Sequence, residues 1–128
     1  MNYKGIIIEE SLERTDVLKD IIITATKVEA VTEKHKTPWL KKWTLHTVEI
    51  LEHVSDAIAK RLSADLEKKH NWYADFKNEQ YHYIIYCGKV FKIDLENPVL
   101  YKEAKQYGIS LGIPEYQVDF APDDKVWE

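Results

Sequence analysis

Between residues 70 and 94 the chain reads HNWYADFKNEQYHYIIYCGKVFKID, and no other stretch limits its fold so strongly. Its apolar residues recur at every second position, the spacing of strands whose side chains alternate between two faces. Trp72, Ala74 and Phe76 alternate with Tyr73, Asp75 and Lys77. A turn at 77–80 follows, and then Tyr81, Tyr83 and Ile85 alternate with His82, Ile84 and Tyr86. Gly88-Lys89 is a short-hairpin signal, because glycine supplies a positive φ at no steric cost. Beyond it, Val90, Lys92 and Asp94 alternate with Phe91 and Ile93. Three consecutive antiparallel strands are the simplest reading.

The preceding residues supply more strand and one helix. Residues 4–9 form a β-branched run, and residues 20–31 (DIIITATKVEAV) read as a long, half-exposed strand. The intervening residues 10–19 are polar apart from Leu12, Val17 and Leu18, and Ser11 is placed to cap a short helical turn. Residues 32–42 break the pattern at Pro38 and read as a loop, after which 43–51 return to alternation. Val54, Ile58, Leu62 and Leu66 then make an i, i+4 row, the stripe of an amphipathic helix, with Ser55 as its N-cap. Past the hairpin, Asn97-Pro98 reads as a second helix start, Leu100, Tyr101, Ala104 and Tyr107 as its inward stripe, and Gly108 as its stop. Residues 109–120 leave room for a last short strand, and 121–128 read as a frayed tail.

The expected order is thus β-β-β-α-β-β-β-α in a single α+β domain spanning residues 1–128. From Trp43 onward it resembles a ferredoxin-like split β-α-β with an inserted hairpin strand. A mostly antiparallel sheet with two helices on one face is the architecture this predicts. At 128 residues the chain is long enough for a core without covalent staples. One cysteine excludes a disulfide framework and a multi-cysteine zinc site. Residues 1–10 lack the sections of a secretion signal, and no apolar run reaches the ~18 residues of a membrane span, so a cytoplasmic protein without membrane association is expected. The net charge of −4 is poorly matched to a polyanion and argues against nucleic acid as a partner.

The segments HNWYADFKN, HYIIYCGKVFKID and YGISLGIPEYQVDF resemble those of a small prokaryotic family of uncharacterised proteins. The resemblance covers about residues 65–120. It implies a compact soluble domain and brings with it no activity, cofactor or site residue.

Several residue groups bear on chemistry. His46, Glu49 and His53 have the look of metal-ligand spacing, but a strand sends His46 and Glu49 to opposite faces, and no metal site is expected there. His70, Asp75 and His82 lie on neighbouring elements, and their convergence would suit acid–base chemistry or a divalent metal. Cys87 flanks a turn with no activating histidine or helix N-terminus in view, so a packed thiol is expected. Residues 34–43 (KHKTPWLKKW) combine four lysines with two tryptophans, and Lys36, Trp39, Lys41 and Trp43 could hold a ligand by charge and stacking. Tryptophans folded back as lids on the core explain the same residues.

No phosphate loop, GxSxG, CxxC or EF-hand loop occurs, and no cofactor is implied. The expected function is a non-catalytic small-ligand or protein-binding module, with its surface between residues 34–43 and the aromatic strands. The alternatives are a small enzyme or metal-binding protein using His70, Asp75 and His82, and a structural protein that pairs through a strand edge into a homodimer.

Overall fold

The computed structural model describes residues 1–32, 39–97 and 99–113. Its elements are β1 (Tyr3–Ile8), β2 (Ile22–Ala30), β3 (Lys42–Ile50), α1 (Ser55–Asp65), β4 (Tyr73–Lys77), β5 (Tyr81–Tyr86), β6 (Lys89–Asp94) and α2 (Leu100–Ser110). Short 3-10 turns occupy Glu9–Ser11, Asp16–Asp20 and Glu52–Val54. The fold is α+β, and its order along the chain is the expected one. Of residues 109–120, read as room for a last short strand, Ile109 and Ser110 belong to α2 and 114–120 lie outside the described residues, as does the tail at 121–128.

The six strands form one sheet in the order β2-β3-β1-β4-β5-β6, with every neighbouring pair antiparallel. This order departs from the ferredoxin-like expectation. The strand inserted between β3 and β4 is the N-terminal β1, while β5 and β6 extend the sheet outward. Because both flanking strands oppose β1, β3 and β4 run in the same direction, with α1 as the crossover between them. Gly5 makes this central position possible: a Cβ there would lie 2.4 Å from the Asp75 carbonyl oxygen and 2.9 Å from Phe76 Cβ.

The helices do not share a face, contrary to expectation. Strand β5 is buried on both of its faces. Tyr83 and Ile85 join a core with Ile58, Ala59 and Leu62 of α1. Ile84 and Tyr86, pointing the other way, join a second core with Tyr101 and Ala104 of α2. The same division continues into β6, where Val90 packs against the first core and Phe91 and Ile93 belong to the second. A strand apolar on both phases has to be covered twice, and the two helices do so from opposite sides.

Under α1, Tyr3 meets Phe76 and Tyr83 edge-on at 5.4 and 5.1 Å between ring centroids, and Phe76 stacks on Tyr83 at 4.6 Å. Leu12, Val17 and Leu18, the apolar residues of an otherwise polar stretch, complete this core from the connection between β1 and β2. That connection is tied to the end of α1 by Glu13 N–H to the Asp65 carbonyl and Glu67 N–H to the Ser11 carbonyl, both 2.7 Å. Each such fully buried side chain stabilises the fold by roughly 1.5–3 kcal/mol.

Several boundaries differ from the sequence reading. Ser55 is the first residue of α1, not its cap: its hydroxyl donates to the Glu52 carbonyl at 2.9 Å and lies 3.1 Å from the Tyr83 hydroxyl. Asn97 does not cap α2, which begins at Leu100 after Val99 without a side-chain cap bond; Pro98 lies outside the described residues. The β5–β6 turn centres on Cys87 and Gly88, since Tyr86 pairs with Lys89. Gly108 does not end α2 either. It is buried within the helix, and the stop comes four residues later at Gly112, whose φ is +91°. The Ile113 N–H reaches the Gly108 carbonyl and the Gly112 N–H that of Ile109, the two bonds of a Schellman motif. Ile113, buried in the second core with Tyr107 packed against it, supplies the accompanying apolar contact.

Two predictions follow from this packing. Replacing Gly112 by alanine places a Cβ on a left-handed residue and should lower unfolding free energy by about 1–2 kcal/mol in urea titrations. Burial pushes the phenols of Tyr3 and Tyr83 up to about 12, with Tyr83 adding to the first and the Asp56 hydrogen bond to the second. Tyr86 is raised as well, by burial and then by the Asp75 charge. Because the folded values exceed the ordinary 10.0, stability is fully present below that pH and is lost as pH rises toward 12. A phenolate absorbance titration followed alongside circular dichroism should show these rings ionising together with alkaline unfolding.

Candidate functional site

Asp75 on β4 and His82 on β5 both project toward α2, and the antiparallel register brings them together. Asp75 lies opposite Ile84 and Lys77 opposite His82, so the two side chains are diagonal neighbours on one face. His82 Nε2 is 2.7 Å from Asp75 Oδ2, and its Nδ1 is 2.7 Å from the Tyr101 hydroxyl on α2. A carboxylate only accepts, so in the neutral imidazole the ring proton is on Nε2, donated to Asp75, and Nδ1 can accept from the Tyr101 O–H. The result is a hydroxyl–imidazole–carboxylate chain, the arrangement that can move a proton through a histidine. His82 is only 2% exposed and Tyr101 6%, so the chain is closed over by the sheet and α2. Tyr101, read from the sequence as part of a helix stripe, is the member that residue spacing alone does not reveal.

The third residue of the expected triad goes elsewhere. His70 sits just past α1, where its Nδ1 lies 2.5 Å from Glu67 Oε1 and its backbone N–H donates to the same carboxylate. Burial works against the ionised Glu67, but these bonds and the Lys69 N–H outweigh it and hold the carboxyl below its ordinary range. The outer partner of His70 is Trp39, stacked on the imidazole with ring centroids 3.6 Å apart and planes 9° from parallel.

Trp39 opens a second cluster. Its ring meets Trp72 edge-on at 6.4 Å, and Trp43 approaches Trp72 from another side at 5.9 Å. Trp39 and Trp43 therefore come together with Trp72 at the start of the aromatic strands. Trp72 is buried, and its indole Nε1 has no hydrogen-bond partner among the described residues. Trp39 remains 45% exposed. The loop closes at its base through the Val31 N–H and the Lys41 carbonyl, 3.0 Å apart, which leaves the Lys41 side chain in solvent. Lys36 lies outside the described residues.

His46 forms a further chain. Its Nδ1 is 2.9 Å from Thr26 Oγ1 across the β2–β3 pair, and its Nε2 is 3.0 Å from Glu9 Oε1. Next to it, Glu10 accepts from the Thr44 N–H at 2.5 Å and the Thr44 hydroxyl at 2.8 Å. Burial would lift the Glu10 carboxyl, but those donors and the Lys42 charge hold it below its ordinary value. Glu49 accepts from Asn2 instead, and His53 lies in the 3-10 turn before α1. Among the described residues no three histidine, cysteine or acidic side chains gather as metal ligands would. Cys87, in the hairpin turn, packs over the end of α1 with its Sγ 3.9 Å from the Leu66 carbonyl, away from any helix N-terminus.

Tyr101→Phe removes the hydroxyl donor to a buried ring nitrogen and should destabilise the protein by about 1–2 kcal/mol in chemical denaturation. The His82 ring NMR signals should shift with it, and those of His70 should not.

No protein-family model matches the chain, and searches of curated proteins and of solved structures likewise find no match. Among the described residues, no helix is long and apolar enough to cross a membrane.

Proposed function

We propose that the protein is a non-catalytic binding module whose recognition surface is the Trp39, Trp43 and Trp72 cluster. The observation that carries this reading is the pairing of an exposed, flatly held indole with a buried donor that no described residue satisfies. Trp39 is fixed against His70 yet keeps nearly half its surface in solvent, so its orientation is set before a ligand arrives. Beneath it, Trp72 Nε1 is a buried N–H without an acceptor among the described residues, a state that ordinarily costs about 1–3 kcal/mol. The exposed Lys41, two residues from both Trp39 and Trp43, favours a negative group on the ligand. A flat aromatic compound bearing an anionic substituent, such as a mononucleotide, fits these three features together.

A second reading is acid–base chemistry at Asp75 and His82 with Tyr101. The two 2.7 Å contacts favour it. Against it, both ring nitrogens are already engaged and the imidazole is closed off from solvent.

Titration with nucleotides, aromatic amino acids and acidic peptides, read by the indole N–H resonances, tests the binding reading. The expected result is a shift of the Trp72 indole signal with at least one class. Trp39→Ala should then weaken that binding roughly tenfold or more, the value of one lost stacking partner. If every class leaves the indole signals unchanged, the reading is wrong.

A further inference from the structure

Strand β2 is at one end of the sheet, paired through one edge with β3; among the described residues no strand covers its other edge. It runs for nine residues, and all of them except Glu29 are exposed. A long strand open along its edge and on both faces is a template for another strand. The question is what the template fits.

We propose that β2 pairs antiparallel with β2 of a second copy of this chain, in the register that sets Val28 opposite Val28. A two-fold axis perpendicular to the sheet keeps corresponding faces on the same side, so opposed residues must share a face. Three registers, centred on Thr26, Lys27 and Val28, keep both Lys27 and Glu29 within the paired strand. Centred on Lys27, the pairing would place the two lysines directly against each other, which is unfavourable. Centred on Thr26, it would leave Lys27 and Glu29 without charge partners and run through the irregularity between Ile23 and Ala25. Centred on Val28, it sets Lys27 of each copy opposite Glu29 of the other. The 58% exposed Val28 would meet its counterpart on the other face. This register uses only the regular part of the strand and leaves the bulge outside. The charges that ordinarily protect a sheet edge here complement their own copy at an offset of two residues.

This surface is independent of the aromatic cluster, and its test is the oligomeric state of the intact chain. Sedimentation equilibrium over a wide concentration range should show monomer and dimer in exchange. Lys27→Glu and Glu29→Lys should each raise the dissociation constant about tenfold, since each turns two attractive pairs into repulsive ones. The double variant Lys27→Glu/Glu29→Lys should restore the original value. Circular dichroism checks that these substitutions leave the fold intact. A protein that stays monomeric at every concentration overturns the proposal. So does a dimer indifferent to both single variants, or one that the double variant fails to restore.

Discussion

The burial of β5 on both faces is the constraint on which the rest of the structure depends. From His82 to Tyr86 every residue of the strand is buried. Such a strand cannot lie on a solvated face, so both sides of this end of the sheet need covering. α1 reaches the Tyr83 and Ile85 side from the middle of the chain, and α2 reaches the Ile84 and Tyr86 side after the last strand. Hydrogen bonds fix each helix to the same strand: Ser63 of α1 donates to the Tyr86 carbonyl at 2.8 Å, and the Tyr86 hydroxyl donates to the Ala104 carbonyl of α2 at 2.6 Å. The one histidine inside this strand, His82, is tolerated because both ring nitrogens have partners in a place where an unpaired polar group is costly.

Local periodicity carries most of the fold. A β-branched run marks β1, alternation the other five strands, and the Val54–Ile58–Leu62–Leu66 row α1, because each signal lies within a few residues of the chain. The error over the faces is instructive for the same reason. Residues 81–86 are apolar on both phases, the mark of a strand buried twice, yet alternation by itself suggests one inner and one outer side. The strand order depends on a contact between distant residues, Gly5 against Asp75 and Phe76, where what matters is the absence of a side chain. No periodicity records that. The stop of α2 was displaced in a comparable way: Gly108 and Gly112 are both candidate glycines, and only the positive φ and the position of Ile113 decide between them.

The candidate site was legible in halves. Asp75 and His82 stand on neighbouring strands and face one side, so their meeting could be anticipated from phase. Tyr101 could not, since on its helix it is indistinguishable from a core residue until α2 is known to lie over that face. His70 stands on a neighbouring element too, but the chain turns between α1 and β4 and delivers it to Glu67 and Trp39 instead. Glu9 and Thr26, the partners of His46, come from separate elements and bear no sequence mark of the association.

Three histidines of this protein follow one chemical pattern with different outcomes. His46, His70 and His82 each meet a carboxylate through one nitrogen. For His46 and His82 the other nitrogen meets a hydroxyl from a different element, so the ring is consumed in joining strand to strand or strand to helix. An imidazole used in this way has no nitrogen left for a substrate. His70 instead meets its carboxylate from within three residues and lends its flat face to Trp39. A ring anchored at its edge and stacked through its face restrains its neighbour without enclosing it. The physical distinction between the closed histidine chains and the tryptophan cluster is therefore whether a surface remains for something else to touch, and in the cluster it does.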